Sequence, residues 1–383
     1  MLKTFAPVLS AKPAVRLAGA TIALAAALTG CAGAPPAPSA TSKPVEAAAK
    51  AASAGPHWQR LHLGTGAGYD FPVYASHRLD GDLSRIREVV FVQHGLQRNG
   101  DDYYAAGAAL LKASGRNPDE VLLVAPNFPG TPDHGKGFDG MPQWSVQGWM
   151  SGENAVNTPF TVSSLQVLDD LMAYVTDKAR LPQVARVTVA GHSGGAQIVH
   201  RYAVLNNVDE RIRARGIDLR YVVANPSSYL YFTPVRPAGA DGRSFAPYDK
   251  AVCPNYDKYR YGMQDIVPYA KGANGLSLYQ RYAGRQVTYL AGTEDNDPNH
   301  RVLDKACGAE AEGPTRLRRA HGYLRYERYL ASPGLVIRHQ AYEVVGVGHD
   351  QARMFGSQCG ARAVFGMAES ANPDGAACRA PQL

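Results

Sequence analysis

The residues best suited to chemistry lie in Val187–Gln197, where the order is Val-Thr-Val-Ala-Gly-His-Ser-Gly-Gly-Ala-Gln. An apolar β-branched run enters a Gly-x-Ser-x-Gly turn and a helical pattern leaves it, an arrangement that exposes a serine at the edge of a sheet. Gly191, Gly194 and Gly195 leave room for the strand and the helix to approach closely. The pattern predicts that Ser193 is a nucleophile.

A serine hydroxyl is a weak nucleophile near neutral pH, so Ser193 needs a base and an orienting carboxylate further along the chain. His349 lies on a glycine-flanked loop after the last predicted strand, where it is free to approach the serine. Asp295 follows another predicted strand and is the expected carboxylate. Asp297 and Glu294 stand in the same turn and stay open as alternatives, because turns are rich in acidic residues.

Acyl transfer also needs N–H donors for the negative oxygen of the tetrahedral intermediate. The N–H of Gly194, directly after the serine, is one candidate. The turn His94-Gly95-Leu96 supplies the second, the N–H of Leu96, and His94 is expected to support that turn.

Together, Ser193, Asp295, His349 and the turn at His94–Gly95 resemble the α/β-hydrolases, in particular the serine esterase, lipase and polyhydroxyalkanoate-depolymerase-like groups. The similarity covers about residues 57–365. It implies an α/β fold with a doubly wound, mostly parallel sheet and loop or cap insertions. It also implies hydrolysis of carboxylic esters through an acyl-serine intermediate.

Strand and helix patterns alternate over residues 56–383, which predicts one α/β domain. Predicted strands lie at 59–63, 71–76, 88–95, 121–126, 187–190, 219–224, 286–291 and 335–345, and the main predicted helices at 101–113 and 162–179. The continuous apolar strands are typical of a parallel sheet that is buried on both faces. Such sheets bind ligands at the carboxyl ends of their strands.

Two long insertions, at residues 127–157 and 225–285, are predicted to form walls or a cap over the site. The first holds aromatic residues such as Trp144. The second holds nine tyrosines, including Tyr229 and Tyr231, and is expected to form much of the acyl- or polymer-binding wall. Such a wall would suit short-chain or aromatic esters or polyesters. Ordinary packing of these aromatic rings is the alternative.

Residues 1–31 have the composition of an export signal, because basic residues precede the apolar run Leu17–Leu28, which is too short to span a bilayer. Its end, Leu-Thr-Gly-Cys, resembles the lipobox of bacterial lipoproteins. The resemblance implies that Cys31 is lipidated and becomes the first residue of the mature protein. A plain secretory signal is the alternative.

Residues 32–55 are rich in Ala, Pro and Ser, and this composition predicts a flexible tether without a core. Ala32, after the lipobox cysteine, resembles the sorting context of outer-membrane lipoproteins. The expected location is therefore a lipid anchor at the outer membrane, facing the periplasm or the cell surface.

Four further cysteines in an exported chain predict two disulfides. The favoured pairs are Cys253 with Cys307 and Cys359 with Cys378, although three connectivities are open. A metal site is not expected, because no pair has Cys-x-x-Cys spacing.

The formal net charge of +7 falls to +4 without the three basic residues of the signal segment. The local cluster Arg316, Arg318 and Arg319 is interpreted as a solvated helix face, so no nucleic-acid partner is expected. No phosphate-binding glycine motif indicates a cofactor. The alternative functions are a serine peptidase or amidase of the same fold and a non-catalytic surface-binding lipoprotein.

Overall fold

A nine-stranded sheet organises the computed structural model, which describes residues 58–239, 241–367 and 374–383. The strands are β1 Gln59–Leu63, β2 Tyr69–Ala75, β3 Glu88–Gln93, β4 Val121–Pro126, β5 Arg186–His192, β6 Asp218–Ala224, β7 Val235–Ala238, β8 Ser244–Pro247, β9 Gln286–Gly292, β10 Gln340–Val344 and β11 Cys378–Arg379. The order in the large sheet is β1-β2-β4-β3-β5-β6-β9-β10-β11, and β7 pairs only with β8.

The six central strands, from β4 to β10, are all parallel to their neighbours, and antiparallel pairs occur only toward the two edges of the sheet. The predicted mostly parallel α/β sheet is therefore confirmed. Because the central strands run in the same direction, their carboxyl ends meet at one edge. β4 lies on one side of β3, and β5 and β6 lie on the other. The chain therefore leaves the carboxyl end of β3 toward one side and the carboxyl end of β5 toward the other, which opens a crevice between these two strands.

Alternating residues of the central strands pack into two different hydrophobic clusters. Val89 and Phe91 belong to one cluster, whereas Val90 and Val92 belong to the other. This follows from the two-residue period of a strand, which points neighbouring side chains to opposite faces. Both faces of the sheet are therefore buried, which explains why β4 and the middle of β3, Val89–Val92, are apolar.

Helices cover these two faces. They are α1 Gly100–Ala113, α2 Ser164–Val175, α3 Gly194–Leu205, α4 Asp209–Ala214, α5 Gly275–Ala283, α6 Cys307–Glu310, α7 Arg316–Leu330, α8 Gln351–Phe355 and α9 Gln358–Phe365. α2 begins later than the predicted helix at 162–179 because the hydroxyl of Ser163 caps its first turn by accepting from the N–H of Leu165, and it ends earlier, at Val175. α3 is buried along its whole length.

Two predictions about the chain course need correction. The last strand of the predicted segment 335–345 covers only Gln340–Val344, because Leu335 N donates to the carbonyl of Ser332 and forms a turn. The insertion at 225–285, for which no strand or helix was predicted, is also more regular than expected. It contains β7, β8 and α5.

Both favoured disulfides are present, Cys253–Cys307 and Cys359–Cys378. Among the described residues, no helix is both long enough and apolar enough to cross a membrane. The predicted signal at residues 1–31 and the predicted tether at 32–55 lie outside the described part of the chain.

Candidate active site

Ser193 lies at the turn between β5 and α3, with φ 59° and ψ −121°. A side chain at either flanking glycine would collide with backbone. A Cβ on Gly191 would lie 2.3 Å from the carbonyl oxygen of Gly195, and one on Gly195 would lie 2.2 Å from the carbonyl oxygen of Gln93. The glycines are thus required for the close approach of strand and helix, and the strained serine is held at the carboxyl end of β5.

The structure brings Ser193, His349 and Asp295 into one hydrogen-bonded chain. Nε2 of His349 lies 2.9 Å from Oγ of Ser193, and Nδ1 of His349 lies 2.7 Å from Oδ2 of Asp295. Of the three candidate carboxylates, Asp295 is buried, whereas Glu294 and Asp297 are exposed. Oδ1 of Asp297 accepts the N–H of Asn299 within its own turn. The geometry therefore favours Asp295.

Asn225, at the end of β6, ties the loops of the acid and of the histidine together, and the sequence reasoning missed it. Its Oδ1 accepts the N–H of Gly292, and its Nδ2 donates to the carbonyl of Gly348. Its φ of 47° lies in the left-handed region that asparagine tolerates better than most residues. An asparagine directly after a buried strand was the available signal.

Arg316 contradicts the interpretation of Arg316, Arg318 and Arg319 as a solvated helix face. Arg318 is exposed, but Arg316 is only 2% exposed and Arg319 is fully buried. NH1 of Arg316 lies 3.1 Å from Oδ1 of Asp295, the carboxylate oxygen that does not face His349. The charge pattern could not reveal this ion pair, because the two residues approach only through the tertiary fold.

These contacts set the protonation of the site. Burial would raise the pKa of Asp295, but the hydrogen bond to His349 and the charge of Arg316 outweigh it and lower that pKa. Burial lowers the pKa of His349, and Arg316 lowers it further, whereas Asp295 acts in the opposite direction. The net shift is downward, so the imidazole stays neutral to lower pH and can act as a base.

Leu96 and Gly194, the predicted N–H donors, lie side by side next to the serine. A Cβ on Gly194 would lie 3.2 Å from the backbone N of Leu96. The turn that carries Leu96 is supported by His94, whose Nδ1 donates to the carbonyl of Gly95 while Nε2 accepts from the N–H of Phe128, each at 2.9 Å. Burial lowers the pKa of His94 to about 4, so it is neutral.

Two further histidines surround His349. The ring centroid of His192 lies 4.6 Å from that of His349, and the centroid of His300 lies 5.1 Å from it. The sequence reasoning did not single out His300, whose Nδ1 lies 3.4 Å from NH1 of Arg316. In the described part of the chain, no group of three or more His, Cys, Asp or Glu side chains could hold a metal ion.

Two adjoining cavities open at Ser193. The Gln197 cavity has a volume of about 160 Å³, below the usual range for drug-sized ligands, so it fits a small group. It is lined by Leu96, Gln147, Met150, Ser193, Gly194, Gln197, Ser227, Arg260, Arg301, Val302, Leu303 and Asp304. The His349 cavity is lined by Gly95, Leu96, Gln97, Asn99, Tyr103, His192, Ser193, His300, Arg301, Val302, His349 and Gln351.

The predicted tyrosine wall is wrong, since none of the nine tyrosines of residues 225–285 lines either cavity. Tyr229 and Tyr231 are buried, and the ring of Tyr229 stacks on that of Tyr323 with centroids 4.4 Å apart. Burying these large aromatic rings in the core stabilises the fold more than exposing them to solvent would. Among the described residues of this insertion, Ser227 and Arg260 line the Gln197 cavity.

The sheet order, the serine turn and the hydrogen-bonded chain together define the α/β-hydrolase fold, and this chain has that fold. Two hydrolases are among the solved structures that are similar to it. Poly(aspartic acid) hydrolase-1 from Sphingomonas sp. KT-1 aligns with a TM-score of 0.54 and 20% identity over 82% of this chain and 100% of its own. LpqC, a poly(3-hydroxybutyrate) depolymerase from Bordetella parapertussis, aligns with a TM-score of 0.54 and 22% identity over 82% of this chain and 91% of its own.

These similarities concern the fold alone, because the sequence identities are only 20% and 22%. No protein-family model matches the chain, and no curated protein matches it in sequence.

Proposed function

We propose that the protein is a serine hydrolase that cleaves carboxylic esters through an acyl-Ser193 intermediate. The observation that carries the proposal is the unbroken hydrogen-bonded chain from Ser193 through His349 to Asp295. The two similar structures described above are hydrolases by name, and one is a depolymerase of the polyester poly(3-hydroxybutyrate).

In the proposed reaction, Oγ of Ser193 attacks the ester carbonyl while Nε2 of His349 takes its proton. The N–H groups of Leu96 and Gly194 hold the oxyanion that forms. His349 then gives the proton to the leaving alcohol, and the acyl group stays on the serine. A water molecule, deprotonated by His349, then attacks the acyl group, and the second tetrahedral intermediate releases the acid while His349 returns the proton to Oγ of Ser193. Asp295 holds the imidazole in the required tautomer throughout.

The substrate class rests on the cavity. The Gln197 cavity has a small volume and a lining of mixed polarity, with Leu96 and Met150 beside Gln147 and Gln197. Such a lining favours short acyl groups or polyester units over long alkyl chains. The tyrosines no longer support a preference for aromatic esters.

An amidase is the second candidate, and one observation favours it. The other similar structure is a poly(aspartic acid) hydrolase, and poly(aspartic acid) is joined by amide bonds. Amide cleavage needs the same chain of proton transfers, with protonation of an amine leaving group. A non-catalytic binding lipoprotein is disfavoured, because binding alone would not require a strained serine aligned with a base and an acid.

Ser193→Ala tests the proposal. We expect hydrolysis of 4-nitrophenyl butyrate to fall by at least about 10³-fold, since the nucleophile is lost while little volume changes. A fluorophosphonate should label the unmodified protein at Ser193 alone. Ser332→Ala, at an exposed serine, is the matched control and should keep full activity. Unchanged turnover in Ser193→Ala, or labelling elsewhere, would contradict the proposed mechanism.

A further inference from the structure

The two cavities at Ser193 have different roles in the proposed reaction. The leaving oxygen must accept a proton from Nε2 of His349, so the alcohol part of an ester belongs in the His349 cavity. The Gln197 cavity reaches Ser193 and the N–H donors Leu96 and Gly194 but is not lined by the histidine. It is therefore the place for the acyl part.

The charged side chains that line the Gln197 cavity are two arginines and one aspartate. Arg260 and Asp304 pair at 3.1 Å, and the hydroxyl of Tyr261 also donates to Asp304. The aspartate is thus occupied within the wall. Arg301 is exposed and lines both cavities, and no carboxylate of the described residues lies within ion-pair distance of it. The guanidinium of Arg301 is therefore available to pair with an anionic group of a ligand.

A third guanidinium, that of Arg201, lies behind the wall of the Gln197 cavity and contacts residues that line it. Arg201 is fully buried on α3, one turn after Gln197, and its partners are neutral. It donates to Oε1 of Gln197, the carbonyl of Met150, the carbonyl of Arg260 and Oγ of Ser228. No carboxylate in the described ranges comes within ion-pair distance. Three of the four residues that it contacts line the cavity, so its charge acts on that space through a medium of low dielectric constant.

More distant carboxylates do not cancel this positive charge. Glu312 is the carboxylate that acts on Arg201, but it is buried, and burial raises its pKa to about 8 despite the nearby arginines. It is therefore largely protonated at neutral pH. Glu153 acts on Arg260 and is exposed, so water screens it.

We propose that the Gln197 cavity takes an acyl group that itself carries a carboxylate, which Arg301 binds at the mouth while Arg201 and Arg260 supply positive potential from the wall. The inference rests on the proposed function and narrows its substrate to monoesters of short dicarboxylic acids or to polymers of anionic units. An arginine that is free of partners binds such a carboxylate with two parallel N–H donors.

A pair of esters that differ only in charge tests this proposal. 4-Nitrophenyl hydrogen glutarate carries the acyl carboxylate, and methyl 4-nitrophenyl glutarate masks it. After subtraction of spontaneous hydrolysis, we expect kcat/KM of the unmodified protein to be at least about tenfold higher for the anionic ester, from one charged hydrogen bond. The ratio should decrease as sodium chloride is raised, because Arg301 is exposed and its attraction is screened.

Arg301→Gln should lower this ratio by about tenfold. Arg338→Gln is the matched control, since Arg338 is exposed and lies just before the amino end of β10, whereas the cavities open at the carboxyl ends of the strands. It removes the same charge and should leave the ratio unchanged. A ratio of one or below in the unmodified protein, or an equal ratio in Arg301→Gln, would overturn the proposal while leaving ester hydrolysis at Ser193 intact.

A binding measurement separates this inference from the proposed function. If neither ester is hydrolysed, the proposed function fails, but glutarate can still be titrated into Ser193→Ala by calorimetry. Binding that is lost when Arg301→Gln is added supports the anionic site. No binding of glutarate refutes it.

Discussion

Asp295 and Asp297 stand two positions apart in one turn and face opposite surroundings. The N–H of Asp295 donates to the carbonyl of Gly292, and this turn directs its carboxylate inward between His349 and Arg316. Asp297 is exposed and accepts only from its own turn. At the scale of single residues, the acid is therefore selected by burial and by two partners, one on each carboxylate oxygen.

The choice between the two aspartates can be measured directly. Asp295→Asn should lower kcat by about 10⁴-fold, because an amide cannot hold the imidazole in the tautomer that accepts the serine proton. Asp297→Asn is the matched substitution and should change kcat by less than about threefold. Both variants should be compared with 4-nitrophenyl butyrate, with circular dichroism to establish folding. The reverse ranking would assign the role to Asp297.

At the scale of elements, the start of α7 supports the acid. Thr315 caps the helix by accepting the N–H of Arg318, and its hydroxyl donates to Oδ1 of Asn296. The N–H of Leu317 donates to the carbonyl of Asp295. Arg316 then reaches the carboxylate itself and also donates to the carbonyl of Val302 in the cavity wall. One helix end thus positions the acid and the wall together.

Replacement of Arg316 should change the pH dependence of the reaction. The reaction needs neutral His349, so kcat/KM falls as pH decreases through the pKa of that imidazole. The positive charge of Arg316 disfavours the imidazolium and lowers that pKa. Arg316→Gln should therefore move the acidic limb of the kcat/KM profile to higher pH.

Arg316→Lys retains the charge and is the control for this shift. Breaking a buried pair costs on the order of 3–5 kcal/mol, so thermal unfolding should be recorded for both variants. An acidic limb at the same pH in folded Arg316→Gln as in the unmodified protein would show that the guanidinium has no electrostatic effect on His349.

The disulfide Cys253–Cys307 also supports the site at the scale of elements. It joins the tyrosine-containing insertion to the chain just after the cavity-lining segment Arg301–Asp304. Removing it as Cys253→Ala/Cys307→Ala should reduce the free energy of unfolding by roughly 2–4 kcal/mol. It should also raise KM, because the wall is less ordered before substrate binds.

The other disulfide provides the comparison. Cys359→Ala/Cys378→Ala should also reduce stability, but β11 lies at the sheet edge and neither cysteine lines a cavity. Its effect on KM should be smaller. Equal KM values in the unmodified protein and the Cys253→Ala/Cys307→Ala variant would contradict a role for the first disulfide in ordering the wall.

At the scale of the whole molecule, we propose that the α/β domain is exported and held at the outer membrane by lipid on Cys31. The support is the sequence Leu28-Thr29-Gly30-Cys31 after an apolar run, followed by a proline-rich segment.

Fractionation of the cells that produce the protein tests this location. The unmodified chain should partition with membranes, and mass spectrometry should find diacylglycerol on an N-terminal Cys31. Cys31→Ser should leave the protein in the soluble fraction or unprocessed. An unmodified N-terminus at another residue would end the proposal of a lipid anchor.

The sequence by itself determined the features that depend on neighbouring residues. Glycine spacing around Ser193 predicted the serine turn, because a Cβ at Gly191 or Gly195 would collide with backbone a few residues away. Alternating strand and helix patterns predicted the parallel sheet, since two-sided burial requires continuous apolar strands. The order of Ser193, Asp295 and His349 predicted the triad that the fold brings together.

Only the tertiary structure decided which polar and aromatic side chains are buried, because their burial depends on contacts with distant parts of the chain. Arg316 and Arg318 are indistinguishable by local charge pattern, yet one is buried against Asp295 and the other is exposed. The tyrosines of residues 225–285 could have faced substrate or core, and packing against α7 placed rings such as Tyr229 in the core. The free energy of each placement comes from residues far apart in sequence, so no local pattern records it.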